Sequence, residues 1–194
     1  MNGLLSVARS LPARFPTSFF FWLVNMVLFY GGWILALKLV LQDRYFLAPL
    51  VVFTIVLIHL LFVARDRGFE LFFIASLTLL GSLVDSSFAF FGIIHYQGSW
   101  WEGSWLAPGW IISLWALFAT SINHALAWLS PHRLTAALLG AIGGTLSYMS
   151  AISVGAATLE VAVPIAIALI ALTWGVVMPL IFVYNDWLKS HYHR

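Results

Sequence analysis

The chain has 194 residues, of which 62% are hydrophobic and only 8% are charged, and it contains no cysteine. Soluble domains carry about 45–50% apolar and about 25% charged residues. The composition therefore excludes a free soluble domain, a disordered chain and a nucleic-acid-binding protein. The missing cysteines exclude disulfides, cysteine-ligated metals and thiol catalysis. What remains is an integral membrane protein.

Charged residues divide the chain into six apolar segments, each close to the roughly 20 residues that a transmembrane helix needs. We predict an all-α fold, a single six-helix bundle over residues 1–194, because lipid leaves each backbone polar group to be satisfied within its own helix. The predicted spans are residues 18–41, 46–64, 71–91, 108–129, 134–157 and 161–184. Residues 1–17 are either a short amphipathic helix on the membrane surface or an unstructured tail.

Lysine and arginine predict the orientation of this bundle. If the N-terminus is cytoplasmic, seven of the nine basic residues fall on the inner face, and only Lys38 and Arg44 fall on the outer face. Inner loops of membrane proteins carry such an excess of basic residues. Because six spans return the chain to its starting side, we expect both termini in the cytoplasm.

A tryptophan-rich loop follows the third predicted span, between Gly92 and Ala107. Tryptophan is enriched where the membrane meets water, because its ring is apolar and its N–H reaches the polar layer. We interpret the tryptophans of this loop and the tryptophan at the start of the next span as interfacial anchors. They are Trp100, Trp101, Trp105 and Trp110. The alternative is a lid that recognises a lipid or a sugar.

Small residues recur along the fifth predicted span. They are Gly140, Gly143, Gly144, Ser147, Ala151 and Gly155. A stripe of small residues lets a neighbouring helix approach closely, so we predict a helix-packing face. The alternative is close approach of the backbone to a lipid or cofactor.

Polar side chains within the spans are costly, at about 2.5–3.5 kcal/mol for a charge at mid-bilayer. Counting along the helices predicts two layers of them. The inner layer contains Asn25, His59, Asn123 and His124, and the outer layer contains Asp85, Ser147 and Tyr148. Asp85 and Tyr148 fall at one level, which predicts a hydrogen bond between them. The layers are either interhelical hydrogen bonds or a site for protons, a metal or a lipid headgroup.

Two histidines and one aspartate are a ligand set that zinc accepts. The predicted depths, however, separate Asp85 from His59 and His124 by about 9 Å. Motifs of zinc proteases, serine hydrolases and nucleotide-binding proteins are also missing. We therefore assign no metal and no cofactor, and we retain Asp85 and His124 as acid–base candidates if the protein is an enzyme.

Several stretches resemble the domain-of-unknown-function family 2878. They are residues 81–86, 110–124 and 138–144, with 25–33 and 174–179 in the first and last spans. The chain departs from the family pattern at Thr145, where proline is expected, and at Ser153, where arginine is expected. The resemblance implies a bacterial inner-membrane protein without an assigned activity, whose relatives occur near genes for enzymes that modify membrane fatty acids.

Three functions are compatible with these observations. The first is a lipid-associated or partner-anchoring component of bacterial envelope and fatty-acid metabolism, without catalytic activity of its own. The second is an intramembrane enzyme that acts on lipids through Asp85 and His124. The third is a small transporter, although spans one to three show no visible likeness to spans four to six. The expected partners are membrane lipids, a membrane-bound protein or further copies of this chain.

Overall fold

A computed structural model of the chain describes residues 17–192 and contains six α-helices in this range. They are α1 (Thr17–Val40), α2 (Leu47–Phe62), α3 (Arg67–Phe90), α4 (Gly109–Ile122), α5 (Arg133–Ser153) and α6 (Val163–Tyr192). The prediction of a helical protein is confirmed. The amphipathic helix predicted for residues 1–17 lies outside the described residues, apart from Thr17, which begins α1.

The all-α prediction missed a small sheet. Strand β1 (Ile94–Tyr96) pairs antiparallel with strand β2 (Ala157–Leu159), and His95 lies opposite Thr158. Each strand has only three residues, which is too short for an alternating pattern to appear in the sequence. The sheet joins the segment after α3 to the segment after α5.

Four helices, α1, α3, α5 and α6, are long and apolar enough to cross a membrane. Helices α2 and α4 are apolar but have only 16 and 14 residues, fewer than the roughly 20 that a complete crossing needs. The protein is therefore a helical membrane protein in which two helices are shorter than predicted.

Helix α4 ends seven residues before the predicted end of its span, and a side chain of α1 compensates for the break. Asn25 donates from Nδ2 to the Thr120 carbonyl oxygen over 3.1 Å and accepts the Ala125 N–H at 3.4 Å. Irregular backbone within a membrane protein is tolerated where protein groups satisfy it. A short 3₁₀ turn at Ala127–Leu129 follows.

The ends of the bundle are defined by contacts between loops. At the first end, strand β1 pairs with β2, and Gly98 packs so closely on Tyr45 that an added Cβ would lie 2.4 Å from the ring. At the second end, Ser130 donates to Asp186 of α6 over 3.1 Å. The segments that follow α1, α3 and α5 thus meet at the first end, so successive helices alternate in direction. We call these the first end and the second end below.

Helix α4 lies at the centre of the bundle, packed against α1, α2 and α3, whereas α5 and α6 pack mainly on each other. Gly144 makes the second contact close, because a Cβ added there would lie 2.3 Å from Cγ of Trp174. Gly140 faces the same helix, with an added Cβ 2.6 Å from the Trp174 carbonyl oxygen.

The predicted packing face does not extend over the whole stripe. A Cβ added to Gly143 would meet nothing within 4 Å, so this residue does not contact another helix. Gly155 lies beyond the end of α5, where its φ of 88° turns the chain towards β2. The predicted span to residue 157 was therefore too long, because a left-handed glycine ends a helix readily.

Gly143 and Gly144 provide a matched test of this packing. We expect Gly144→Ala to lower the free energy of unfolding by about 1–3 kcal/mol, because the added methyl group overlaps Trp174. Gly143→Ala should be neutral or slightly stabilising, since alanine is the better helix former. Thermal unfolding in detergent, followed by circular dichroism, measures both. Equal melting temperatures for the two variants would contradict the packing.

Candidate functional site

Two buried polar clusters lie near opposite ends of α3. Glu70 is in the first turn of the helix and Asp85 is fifteen residues later, which corresponds to about 22 Å along the axis. His59 and His124 both contact Glu70. The separation of about 9 Å predicted between Asp85 and the histidines was therefore too small.

The Asp85 carboxyl group accepts three hydrogen bonds from three different elements. Its Oδ1 accepts from the hydroxyl groups of Tyr96 (2.6 Å) and Tyr148 (2.7 Å), and its Oδ2 accepts from Nε1 of Trp115 (2.5 Å). Only 1% of Asp85 is exposed. The hydrogen bond predicted from the common depth of Asp85 and Tyr148 is present.

Tyr96 was not anticipated, because it lies in a segment that the sequence suggested was an interfacial loop. Strand β1 carries it back into the bundle, where only 3% of the residue is exposed. Burial raises the pKa of Tyr96 well above its ordinary value, and the neighbouring Asp85 carboxyl acts in the same direction. Tyr96 therefore remains a protonated hydrogen-bond donor.

Gly81 makes room for one of these donors. A Cβ on Gly81 would lie 1.9 Å from Cδ2 of Trp115, so the indole ring occupies the space of the missing side chain. Residues four apart lie on the same face of a helix. Gly81 therefore lets the Trp115 ring pack against α3. One turn further along α3, Asp85 accepts the hydrogen bond that Trp115 Nε1 donates.

A cavity of about 110 Å³ lies beside the Asp85 cluster. We call it the aromatic cavity. Its walls come from both groups of helices, and it includes Ser147 and Ala151 of the small-residue stripe. The aromatic side chains that line it are Phe29, Trp33, Tyr96, Trp110, Trp115, Phe118, Tyr148 and Trp174.

Part of the wall of the aromatic cavity comes from side chains that are not fully enclosed by protein. Phe29 and Trp33 of α1 form one wall and Trp174 of α6 another, and all three side chains are only partly buried. Trp174 stacks on Trp115 with ring centroids 5.0 Å apart. Its buried Nε1 has no hydrogen-bond partner among residues 17–192. The cavity thus combines a large apolar surface with one unused donor.

Glu70 joins the two histidines of the predicted inner layer. Its Oε1 lies 2.8 Å from Nε2 of His124, and its Oε2 lies 3.3 Å from Nε2 of His59. Asn25 contacts the other side of the His59 ring, with Nδ2 at 3.4 Å from Nδ1. Asn123 instead accepts a hydrogen bond of 2.9 Å from Asn185 of α6.

Glu70 was missed because the third span was predicted to begin at residue 71. Asp66 caps α3, accepting the Phe69 N–H at 3.0 Å, so the helix starts four residues earlier than predicted. Aspartate before an apolar run is a helix-start signal. Had the helix start been read from Asp66, Glu70 would have been predicted on the same buried face as Phe73 and Leu77.

The four predicted tryptophan anchors divide into two groups. Trp100, Trp101 and Trp105 are each about half exposed at the first end of the bundle. Trp110 is 1% exposed, and it donates from Nε1 to the Gln97 carbonyl oxygen over 2.8 Å. Trp110 is thus enclosed by protein, because β1 and its following turn cover the start of α4 and supply the acceptor, and its depth in a membrane stays a prediction.

These features define a helical membrane protein with two buried polar clusters and a cavity lined by aromatic side chains. The chain belongs to the family described as "Protein of unknown function (DUF2878)", whose model matches residues 22–180. The resemblance inferred from the sequence is thereby confirmed. No curated protein and no solved structure matches the chain.

The hydrogen bond between Trp115 and Asp85 can be measured by a double-mutant cycle. Trp115→Phe should destabilise the protein by about 1–3 kcal/mol, the cost of leaving a buried hydrogen-bonding group without its partner. In an Asp85→Leu background the same change should cost much less, because no acceptor remains. Thermal unfolding of the four proteins gives the coupling energy. Trp33→Phe, on the wall of the same cavity, is the control, and a coupling near zero would contradict the assignment.

Proposed function

We propose that the protein is a lipid-associated component of a bacterial cytoplasmic membrane that holds part of a lipid chain in the aromatic cavity. The observation that carries this proposal is that partly buried side chains of α1 and α6 line that cavity, which indicates an opening between these helices at the side of the bundle. In a membrane, an opening at the side of a helix bundle faces lipid. A lipid chain can therefore enter without passing through water.

The size of the cavity supports a chain segment as the occupant. Its volume of about 110 Å³ is somewhat less than that of an engineered apolar cavity of about 150 Å³ that binds benzene. A few carbon atoms of an acyl or isoprenoid chain fit this space, whereas a complete lipid does not. The unused N–H of Trp174 suits an ester or hydroxyl oxygen on the bound molecule.

The Asp85 cluster supports binding by holding the cavity walls in place. Its three donors come from β1, α4 and α5, and each of them also lines the cavity. Both carboxyl oxygens already have partners. In this proposal Asp85 acts as a positioning residue, because it holds the cavity walls and does not itself contact the bound lipid chain.

The alternatives have less support from the positions of these residues. Asp85 and His124 lie about 22 Å apart along α3, because His124 contacts Glu70, so they do not act on one atom as an acid–base pair. A transport path would have to join the two clusters. The face of α3 between them is apolar and buried, with Phe73, Ile74 and Leu77 in the core.

Filling the cavity should reduce lipid binding. We expect native mass spectrometry of the wild-type protein to detect one retained phospholipid after delipidation and addition of phosphatidylglycerol. Ala151→Leu places a larger side chain on the cavity wall and should reduce the retained lipid about tenfold. Gly143→Leu adds the same side chain to α5 where nothing lies within 4 Å, so it should retain lipid normally. Equal retention by both variants would count against this function.

The proposed topology has six membrane-crossing helices with both termini in the cytoplasm. The alternating direction of the helices supports it, and so does the basic excess at the second end, which includes Arg65, Arg67, Arg133 and Lys189. In the proposed topology, the buried segments before and after α4, with Ala107 and Leu129 in the core, span the part of the membrane thickness that its 14 residues do not cover. The lipid-facing surface also leaves room for a membrane-bound partner protein or for further copies of the chain.

The absence of cysteine makes this topology directly testable. Glu102→Cys, in the tryptophan-rich loop, should react with a membrane-impermeant maleimide added to intact cells. Lys189→Cys, near the end of α6, should react only after the cells are opened. The cysteine-free wild-type chain controls for background labelling. Labelling of both positions from the same side would exclude an odd number of crossings between them.

A further inference from the structure

We propose that His59, Glu70 and His124 bind a divalent transition-metal ion such as Zn²⁺. One nitrogen from each histidine and one oxygen from the carboxylate lie within 4.8 Å of one another. The site is distinct from the aromatic cavity, about 22 Å away along α3. Nothing in the proposed lipid-binding function requires it.

The spacing of His59 and Glu70 matches that of neighbouring ligands around one ion, and the closer His124 would have to move back by about 0.5 Å to bind the same ion. Two ligands at about 2.0–2.1 Å from tetrahedral zinc lie about 3.3 Å apart. The His59 and Glu70 atoms are 3.3 Å apart, and the His124 and Glu70 atoms are 2.8 Å apart. The first distance is longer than the about 2.7–2.9 Å of a charge-assisted hydrogen bond.

Burial makes an ion favourable at this position. His59 is 1% exposed and Glu70 is 5% exposed. The Glu70 carboxylate brings a negative charge into the bundle, which is costly unless an opposite charge compensates it. A divalent cation supplies that compensation. The ligands come from α2, α3 and the segment after α4, so the ion would also hold these three elements together.

The cavity next to this cluster leaves room for a fourth ligand. Its volume is about 210 Å³, and besides Glu70 and His124 it is lined by Phe21, Trp22, Val63, Arg65 and Asn123. Three protein ligands with one open position are typical of catalytic zinc sites. Arg65 and Asn123 Nδ2, which has no partner among the described residues, suit an anionic group such as phosphate or carboxylate.

Metal binding changes the proton arrangement around His59. Coordination through Nε2 moves the ring proton to Nδ1, which then needs an acceptor. Asn25 must turn its amide oxygen towards the ring, giving up contacts of 3.1 Å to Thr120 and 3.4 Å to Ala125.

Cobalt(II) is a direct probe, because its absorption spectrum reports its coordination. We expect untagged, chelator-treated protein in detergent to bind one Co²⁺ per chain with the intense visible bands of a four- or five-coordinate site. Zn²⁺ should displace it and raise the melting temperature. Glu70→Gln and His124→Ala should each weaken binding by at least about tenfold. His95→Ala is the control, since that histidine is exposed on β1 at the first end.

Thermal unfolding followed by circular dichroism tells whether each variant is folded, independently of lipid binding. A folded Glu70→Gln protein that binds Co²⁺ as tightly as the wild type would overturn the metal site. So would a wild-type protein that shows no stoichiometric binding, and this second result does not depend on any variant. Failure of lipid binding with intact metal binding would overturn the proposed function alone.

Discussion

The aromatic cavity depends on one carboxyl group that is buried inside a membrane protein. Asp85 receives hydrogen bonds from Tyr96, Trp115 and Tyr148, which belong to β1, α4 and α5. In a medium of low dielectric constant these hydrogen bonds are strong, and leaving any of the groups unpaired is costly. Asp85 therefore determines where the central helix, the sheet and the α5–α6 pair lie relative to α3.

Helix α3 connects this cluster to the second one. Its buried face carries Glu70 near one end and Asp85 near the other, with apolar side chains between them. Gly81 lets Trp115 pack directly against the helix. The same helix therefore contributes a wall to the proposed lipid-binding cavity and a ligand to the proposed metal site, and the apolar segment between them keeps the two apart.

Residues that act through local spacing or depth were predictable. Counting residues along two helices placed Asp85 and Tyr148 at one level, and the periodic glycines included Gly140 and Gly144, which lie against α6. Residues whose role depends on a change in chain direction were not. Tyr96 was not singled out and Trp110 was expected to be an interfacial anchor, because no sequence pattern reveals a three-residue strand that folds back into the bundle.

The sequence by itself determined that the chain is a helical membrane protein, because composition and the spacing of charges reflect the requirements of lipid directly, and the resemblance of several stretches identified its family. Only the tertiary structure decided which polar groups meet. The sequence analysis considered only Asp85 as a carboxylate partner for the histidines, whereas the fold brings Glu70 to both. The physical reason is that helix–helix packing and short backbone irregularities, such as the break after Ile122, set the rotation and depth of each side chain.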